Sequence, residues 1–261
     1  MELALTVQHG QDDQLIFAQQ LGADSVVVAV ENWDAATLKA ARNRVERSQL
    51  KLAGLEVCRP PAAGLAEFCE GLGRAGEAGI GLISVDWRAA AAPVQPVGRG
   101  KALVAPVPMV AAAPTLETLA QFLTQAGPAA RAAGVRLACR AGVGFLREPQ
   151  QLLELVPALD LDLVEVAGAG KGAEDLIGAA GAKLAMVHAN NLRQQQQAFL
   201  DEGEISLPRV MQVLVRAGFA GPMRAALPPG MVEDTDWGHK GRAFDLGYLR
   251  AILQVIERTG K

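Results

Sequence analysis

Eight times along this chain a short apolar run gives way to a longer stretch whose apolar residues fall three and four apart. The short runs are Leu3–Val7, Ser25–Val30, Leu52–Val57, Leu82–Trp87, Val135–Arg140, Leu161–Val166, Leu184–Ala189 and Pro222–Leu227. The longer ones are Gln14–Leu21, Ala35–Ser48, Leu65–Ala78, Leu116–Ala133, Gln150–Val156, Ala173–Ala180, Leu207–Ala217 and Gly241–Arg258. Runs bounded by turn residues read as buried strands, and the three-and-four spacing reads as helices packed on them. Eight strands, each followed by a helix, are the count of a closed parallel barrel. An open doubly wound sheet could use eight such units too, but no run leads into a Gly-rich phosphate fingerprint. The expected fold class is therefore α/β, a (β/α)8 TIM barrel in one domain over residues 1–261.

The punctuation agrees. Leu21-Gly22-Ala23, Ala78-Gly79-Ile80, Ala133-Gly134-Val135 and Ala217-Gly218-Phe219 each set a glycine just past an apolar helix, where a left-handed residue closes the C-terminus. Half of the chain is hydrophobic and only 4% aromatic, so the core must be built from Ala, Val and Leu. A net charge of −3 gives no clustered basic face for nucleic acid, and no basic amphipathic segment is suited to a membrane surface. No stretch approaches the roughly 20 apolar residues of a spanning helix. Met1–Val7 lacks the basic start and long apolar centre of a signal peptide. Cys58, Cys69 and Cys139 have no metal-type spacing and read as reduced thiols, so a cytoplasmic protein is expected.

Two segments fall on the barrel face where active sites are built, since both follow the C-terminal end of a strand. Ala89–Pro114, rich in Ala, Pro and Val around a Gly98-Arg99-Gly100-Lys101 turn, is a low-complexity loop, a lid or a dimer arm. Gln194–Gln197 reads as a solvated loop.

A series of short pieces then carries a resemblance. Ala18-Gln19-Gln20-Leu21-Gly22-Ala23, Leu52-Ala53-Gly54-Leu55-Glu56-Val57, Asp86-Trp87-Arg88 and Ala132-Ala133-Gly134-Val135-Arg136-Leu137-Ala138 come first. Val187-His188-Ala189-Asn190-Asn191-Leu192, Asp201-Glu202-Gly203-Glu204-Ile205, Gly218-Phe219-Ala220-Gly221-Pro222-Met223-Arg224 and Gly247-Tyr248-Leu249-Arg250 follow in order. Together they resemble the mannonate dehydratases, a family of xylose-isomerase-like barrels, nearly end to end. That resemblance implies dehydration of a sugar acid at the strand ends, with a divalent metal held by His after strand 5, Cys on strand 6, His on strand 7 and Asp on strand 8. The metal would stabilise the dianion formed when a proton next to a carboxylate is removed.

The implied ligand set is mostly absent. The strand 5 position is Arg140, a cation; strand 6 offers Glu165 or Val166, depending on a one-residue shift; the strand 8 Asp is Ala226, beside Leu227. Only His188 stands where the resemblance puts a ligand, so His188 with Glu165 is the remaining metal pair, and Mn²⁺ or Mg²⁺ on two ligands would bind weakly. No other cofactor is expected.

Each candidate has a structural reading beside its functional one. His188 and His239 are candidate acid or base, yet a lone strand histidine is often structural and a loop histidine often on the surface. Arg140 pairs with Glu165 or replaces the metal as a fixed cation for a carboxylate. Asp86 and Arg88 brace a loop or touch substrate, and Asn191 follows His188 at the strand end. Arg224, facing the lumen from strand 8, needs an anion or an acidic side chain, and Glu56 on strand 3 is placed to pair with one of these arginines. Asp234-Thr235-Asp236 reads as solvated loop, and His9 follows strand 1. Three function classes result. The first is a barrel that binds a sugar acid or small carboxylate with a rewritten site, lyase or isomerase by resemblance. The second is a non-catalytic binding or assembly subunit, which the apolar Ala225-Ala226-Leu227 suits. The third is a metal-dependent sugar isomerase or epimerase with relocated ligands. The expected partner is a small carbohydrate or carboxylate, not nucleic acid or membrane, with a homodimer as the oligomer.

Overall fold

Strand and helix alternate where the apolar pattern places them. The computed structural model describes residues 1–58, 64–86, 95–104, 116–141, 160–164, 173–194, 196–225 and 228–259. The barrel strands are β1 (Glu2–Gln8), β2 (Ser25–Val30), β3 (Lys51–Cys58), β4 (Leu82–Asp86), β5 (Arg136–Ala141), β6 (Asp160–Val164), β7 (Leu184–Ala189) and β10 (Pro222–Ala225). They close in the order β1-β10-β7-β6-β5-β4-β3-β2, every neighbouring pair parallel. Around them lie α1 (Asp12–Gln20), α2 (Ala35–Arg47), α3 (Leu65–Glu77), α4 (Leu116–Ala132), α5 (Ala173–Ala180), α6 (Leu207–Arg216) and α7 (His239–Thr259). The helix expected at 150–156 lies outside the described residues. Gly22, Gly79, Gly134 and Gly218 all have φ near +70°, the helix-closing conformation their positions call for.

Alternation along each strand divides the side chains between two compartments. Leu3, Leu5 and Val7 of β1, Val26 and Val28 of β2, and Leu55 and Val57 of β3 face the helices and join one large core with Leu38, Leu72, Leu123, Leu214 and Leu249. Each such burial contributes about 1.5–3 kcal/mol, so many small aliphatic residues replace the aromatics this chain lacks. The opposite faces meet in the lumen. Its apolar floor is Val27, Leu82, Ala138, Ala185 and Met186. Above that floor, toward the C-terminal ends of the strands, Glu56, Ser84, His188 and Arg224 are all buried polar residues.

Two loop readings need correction. Gln196 and Gln197 are not loop: β8 (Asn191–Arg193) pairs antiparallel with β9 (Gln196–Ala198). Asn191 makes the difference, since its buried amide donates to Leu200 O and Ile205 O (3.0 Å each) and accepts from Leu192 N and Ile205 N (3.1 Å each). A Cβ on Gly203 would lie 1.9 Å from Asn191 Oδ1, so only glycine fits against this brace. Asp234 is likewise more than solvated loop. Its carboxylate accepts from Lys240 N and Gly241 N at 3.0 and 3.1 Å, satisfying amides in the first turn of α7.

Among the described residues no helix is long and apolar enough to cross a membrane.

Candidate functional site

Arg224 organises the mouth. Fully buried on β10, it reaches past β1 and β2 to Glu56 on β3, Nη2 to Oε2 at 2.5 Å, while its Nη1 donates to Thr6 Oγ1 of β1 at 2.5 Å. The acidic partner required by a lumen-facing arginine is thus Glu56, as strand parity indicates. His188, 1% exposed, is the register partner of Arg224 on the adjacent strand. The sequence left open which arginine Glu56 would pair with, and the structure pairs it with Arg224.

Two further charged residues reach the mouth from α7. Residues Arg242, Asp245, Leu246, Leu249, Ile252 and Ile256 are all buried and fall at helical spacing. Arg242 and Asp245 therefore continue the apolar stripe that faces the barrel. Arg242 Nε donates to Trp237 O at 2.7 Å, and its guanidinium lies 4.6 Å from the Trp237 ring centroid. Burial, and then the positive charge of Arg224, push the Arg242 pKa down to about 10, while Asp245, Glu56 and Asp234 oppose the fall. Burial pushes the Asp245 carboxyl up to about 8; Arg242 opposes that shift and Asp201 adds to it. Sequence reading missed both residues. The signal was present: charged side chains sat at apolar-stripe positions of the last helix.

The loop after β4 crosses above. Residues 95–104 fold back on themselves through a Gln95–Val104 bridge and attach to the loop after β10 through a Leu103–Gly230 bridge. Both amides of the second bridge are used, Leu103 N to Gly230 O at 2.9 Å and Gly230 N to Leu103 O at 2.7 Å. Arg99 pairs with Asp201 at 2.8 Å and with Glu202 at 3.6 Å, over the Phe199 ring at 4.6 Å. Strands β4 and β10 stand on opposite sides of the barrel, so this segment is a strap between them. These contacts tie residues 95–104 to the loops that follow β9 and β10.

The other candidates are scattered. Asp86 ends β4, where its backbone is the register partner of Cys58, and Arg140 lies on β5 as the register partner of Asp162; both side chains are outside the described part. Arg88 and Glu165 lie outside the described residues, and with them the Arg140–Glu165 pairing. Asn191 sits at the mouth, but its amide is committed to the backbone groups named above. His239 opens α7 with its ring edge-on to Phe17 of α1 (4.6 Å) and Trp237 (4.7 Å), and its Nδ1 on Thr235 Oγ1. Those contacts hold α7 to α1 and are separate from the Arg224–Glu56 contacts. Beside β1, His9 borders a small cavity with Gly10, Leu15 and Arg44, where Arg44 is tied to Asp12 and Gly10 O.

A divalent metal does not fit the described donor set. Among the described residues no group of three or more His, Cys, Asp or Glu converges. The one described ligand position, His188, has a guanidinium-bearing residue beside it in register.

No family model matches the sequence, and no curated protein matches it. Solved structures do. Mannonate dehydratase from Streptococcus suis serotype 2 superposes with a TM-score of 0.79 at 15% identity, covering 100% of this chain and 96% of that one. A xylose isomerase domain protein from Planctomyces limnophilus gives 0.69 at 14% identity, covering 98% and 99% of the two chains. D-psicose 3-epimerase from Clostridium cellulolyticum H10, solved with D-tagatose, gives 0.67 at 12% identity, covering 97% and 99%. The chain therefore has the xylose-isomerase-like barrel fold. These neighbours are carbohydrate enzymes by name, and at such identities the likeness is one of fold.

Proposed function

We propose that this barrel binds a small carboxylate, with a sugar acid as the substrate class, at the mouth formed by Arg224, His188, Glu56 and the overlying strap. The observation that carries the reading is the density of buried positive charge there. Arg224 and Arg242 lie close enough for each other's charge to be felt, and Glu56 is the acidic side chain that Arg224 contacts. Guanidinium groups held in a water-poor site bind carboxylates strongly and in a fixed orientation. The same field disfavours a divalent cation, which fits the poor donor set. The carbohydrate fold neighbours support a polyol acid over other carboxylates.

In this reading Glu56 fixes Arg224, and the strap excludes water once ligand is seated. His188 is a described residue at the mouth that can accept or donate a proton. The mutual satisfaction of Arg224 and Glu56 also suits a barrel that binds without turnover.

Thermal unfolding with a panel of sugar acids, the matching neutral polyols, and Mn²⁺ or Mg²⁺ tests the proposal. A ligand that binds only the native state raises the melting temperature by mass action. Sugar acids should raise it while polyols and metals do not. A rise with metal alone would replace this reading with that of a metal-dependent isomerase. No rise with any acid would leave the assembly-subunit reading.

A further inference from the structure

Among the described residues six large apolar side chains are exposed, and three of them gather where the strap meets the loop after β10: Val97 at 55%, Leu103 at 43% and Val232 at 79%. The other three, Ile16, Val215 and Val255, stand singly on α1, α6 and α7, and single exposed residues need no explanation. The first three are brought side by side by the backbone. Gln95 pairs antiparallel with Val104 and Leu103 with Gly230, so residues 102–104 run between 95–97 on one flank and 230–232 on the other. Alternation turns Ala102 and Val104 inward, where they are buried, and Leu103 outward. The outer face of these three segments is therefore an apolar row of Val97, Leu103 and Val232.

The charges around this row are laid out in a definite way. Arg99 is spent on Asp201 and Glu202, Asp234 on amides of α7, and Lys240 Nζ on Val232 O. That leaves Lys101 on the strap and Glu233 and Asp236 on the loop, all exposed and without an ion-pair partner among the described residues. Lys101 lies two residues before Leu103 and Glu233 three after Gly230; because the two segments run antiparallel, both charges fall at the same end of the row. Both also have left-handed backbone, with φ of +66° and +55°, a conformation that glycine adopts more easily.

We propose that this row is the contact face of a symmetric dimer whose other half is a second copy of this chain, Leu103 packing against the partner's Val232 and Lys101 pairing with the partner's Glu233. A twofold interface has to be complementary to itself. An axis lying in the interface plane, along the boundary between strap and loop, exchanges strap for loop and keeps each end in place. It sets apolar centre on apolar centre and brings Lys101 to the partner's Glu233 twice over. An apolar centre with a charged rim is the ordinary layout of such a contact. A nucleic acid or an anionic membrane would require basic residues alone, whereas this rim carries both signs. The face spans the loops after β4 and β10, so a seated partner also holds the Leu103–Gly230 pair together at the barrel mouth. The inference does not depend on which ligand the mouth takes.

The test is sedimentation equilibrium of the full chain, from micromolar to sub-millimolar concentration, with two charge reversals, Lys101→Glu and Glu233→Lys. Wild type should be dimeric at the upper end. Each reversal alone sets like charges together at both ends of the twofold, and should raise the dimer dissociation constant at least about tenfold. An equimolar mixture of K101E and E233K should recover wild-type association, because in the mixed dimer every side chain at position 101 meets an opposite charge at position 233. A contact within one chain cannot give that rescue. Val232→Asp, at an exposed position, should disperse the dimer and leave the far-UV circular dichroism unchanged. A wild type that stays monomeric throughout refutes the proposal. So does a dimer that both reversals and V232D leave intact, since it then forms through another surface. If both reversals weaken the dimer and mixing does not restore it, Lys101 and Glu233 do not face each other across the axis, and the proposed pairing is overturned.

Discussion

Replacing Glu56 by glutamine should destabilise this barrel more than any isosteric change on its surface. Glutamine keeps the shape and one acceptor for Arg224 Nη2, so the change removes charge and little else. Both partners are dry, with side-chain exposures of 0% for Arg224 and 5% for Glu56. Removing one member of such a pair costs about 3–5 kcal/mol, mainly because the surviving charge is left buried. Retention of a hydrogen bond argues for the lower end. The loss of the counter-charge to Arg242 argues against anything smaller, since Glu56 also supports that guanidinium. For a chain of this length 1 kcal/mol moves the melting temperature by about 2–4 °C, so the expected fall is about 6–12 °C.

Thermal melts followed by far-UV circular dichroism, with urea titrations in parallel, measure the change. A double variant, Glu56→Leu with Arg224→Met, supplies the control. Removing both charges together should recover most or all of the loss, because well-packed apolar pairs commonly match buried ion pairs. A Glu56→Gln melt within 2 °C of wild type would refute the reasoning, and would mean that water reaches Arg224 once the carboxylate is gone. A double variant no better than the single would refute it by another route, since strain or packing would then be the source of the loss.

Three other outcomes are expected. Asn191→Ala removes four hydrogen bonds to backbone groups and should cost about 3 kcal/mol, seen as a lower urea midpoint. Arg99→Ala should cost only about 1 kcal/mol globally, because that side chain is half exposed, yet hydrogen exchange at Leu103 and Gly230 should accelerate as the strap lifts. Burial pushes the Asp245 carboxyl from its ordinary 3.8 up to about 8, so the native state holds a proton that the unfolded chain releases. Its contribution is full below about pH 4 and is lost as pH rises to about 8, with a slope of at most about 1.4 kcal/mol per unit. Asp245→Asn should flatten that part of the stability profile, and urea melts from pH 5 to 8.5 would show whether it does.

The parts legible in the sequence are those governed by short-range pattern. Glu56 and Arg224 both read as lumen-facing, so a pairing of Glu56 with one of the arginines was legible in the sequence, but which arginine was not. Ser25–Val30 and Leu184–Ala189 were readable to the residue because a strand buried on both faces reads as a nearly continuous apolar run, here broken only by Ser25 and His188. The rest depends on contacts distant in the chain. Asn191 looked like a ligand-facing residue until its partners, Leu200 and Ile205, were brought beside it. The strap looked like low-complexity sequence, since nothing local announces that Leu103 meets Gly230. Arg242 and Asp245 were read past because a long terminal helix ordinarily carries its charges outward; only their phase with Leu249 and Ile256 showed otherwise.

That phase has a consequence for what the mouth can hold. Among the described residues that set its charge, Arg224 and Arg242 are positive, Glu56 is negative and Asp245 is mostly protonated at neutral pH. A protonated Asp245 leaves the two guanidinium groups with less opposing charge than an ionised one would. At an effective dielectric of 20 a unit charge 4 Å away is worth about 4 kcal/mol, favourable for an arriving carboxylate and unfavourable for a metal. Ionising Asp245 adds a negative charge there, so a preference for an anion should weaken as pH passes about 8. A barrel with this fold that bound its substrate through a metal would have the opposite requirement, carboxylates gathered around a cation. The guanidinium groups of Arg224 and Arg242 thus suit the proposed carboxylate ligand better than a cation.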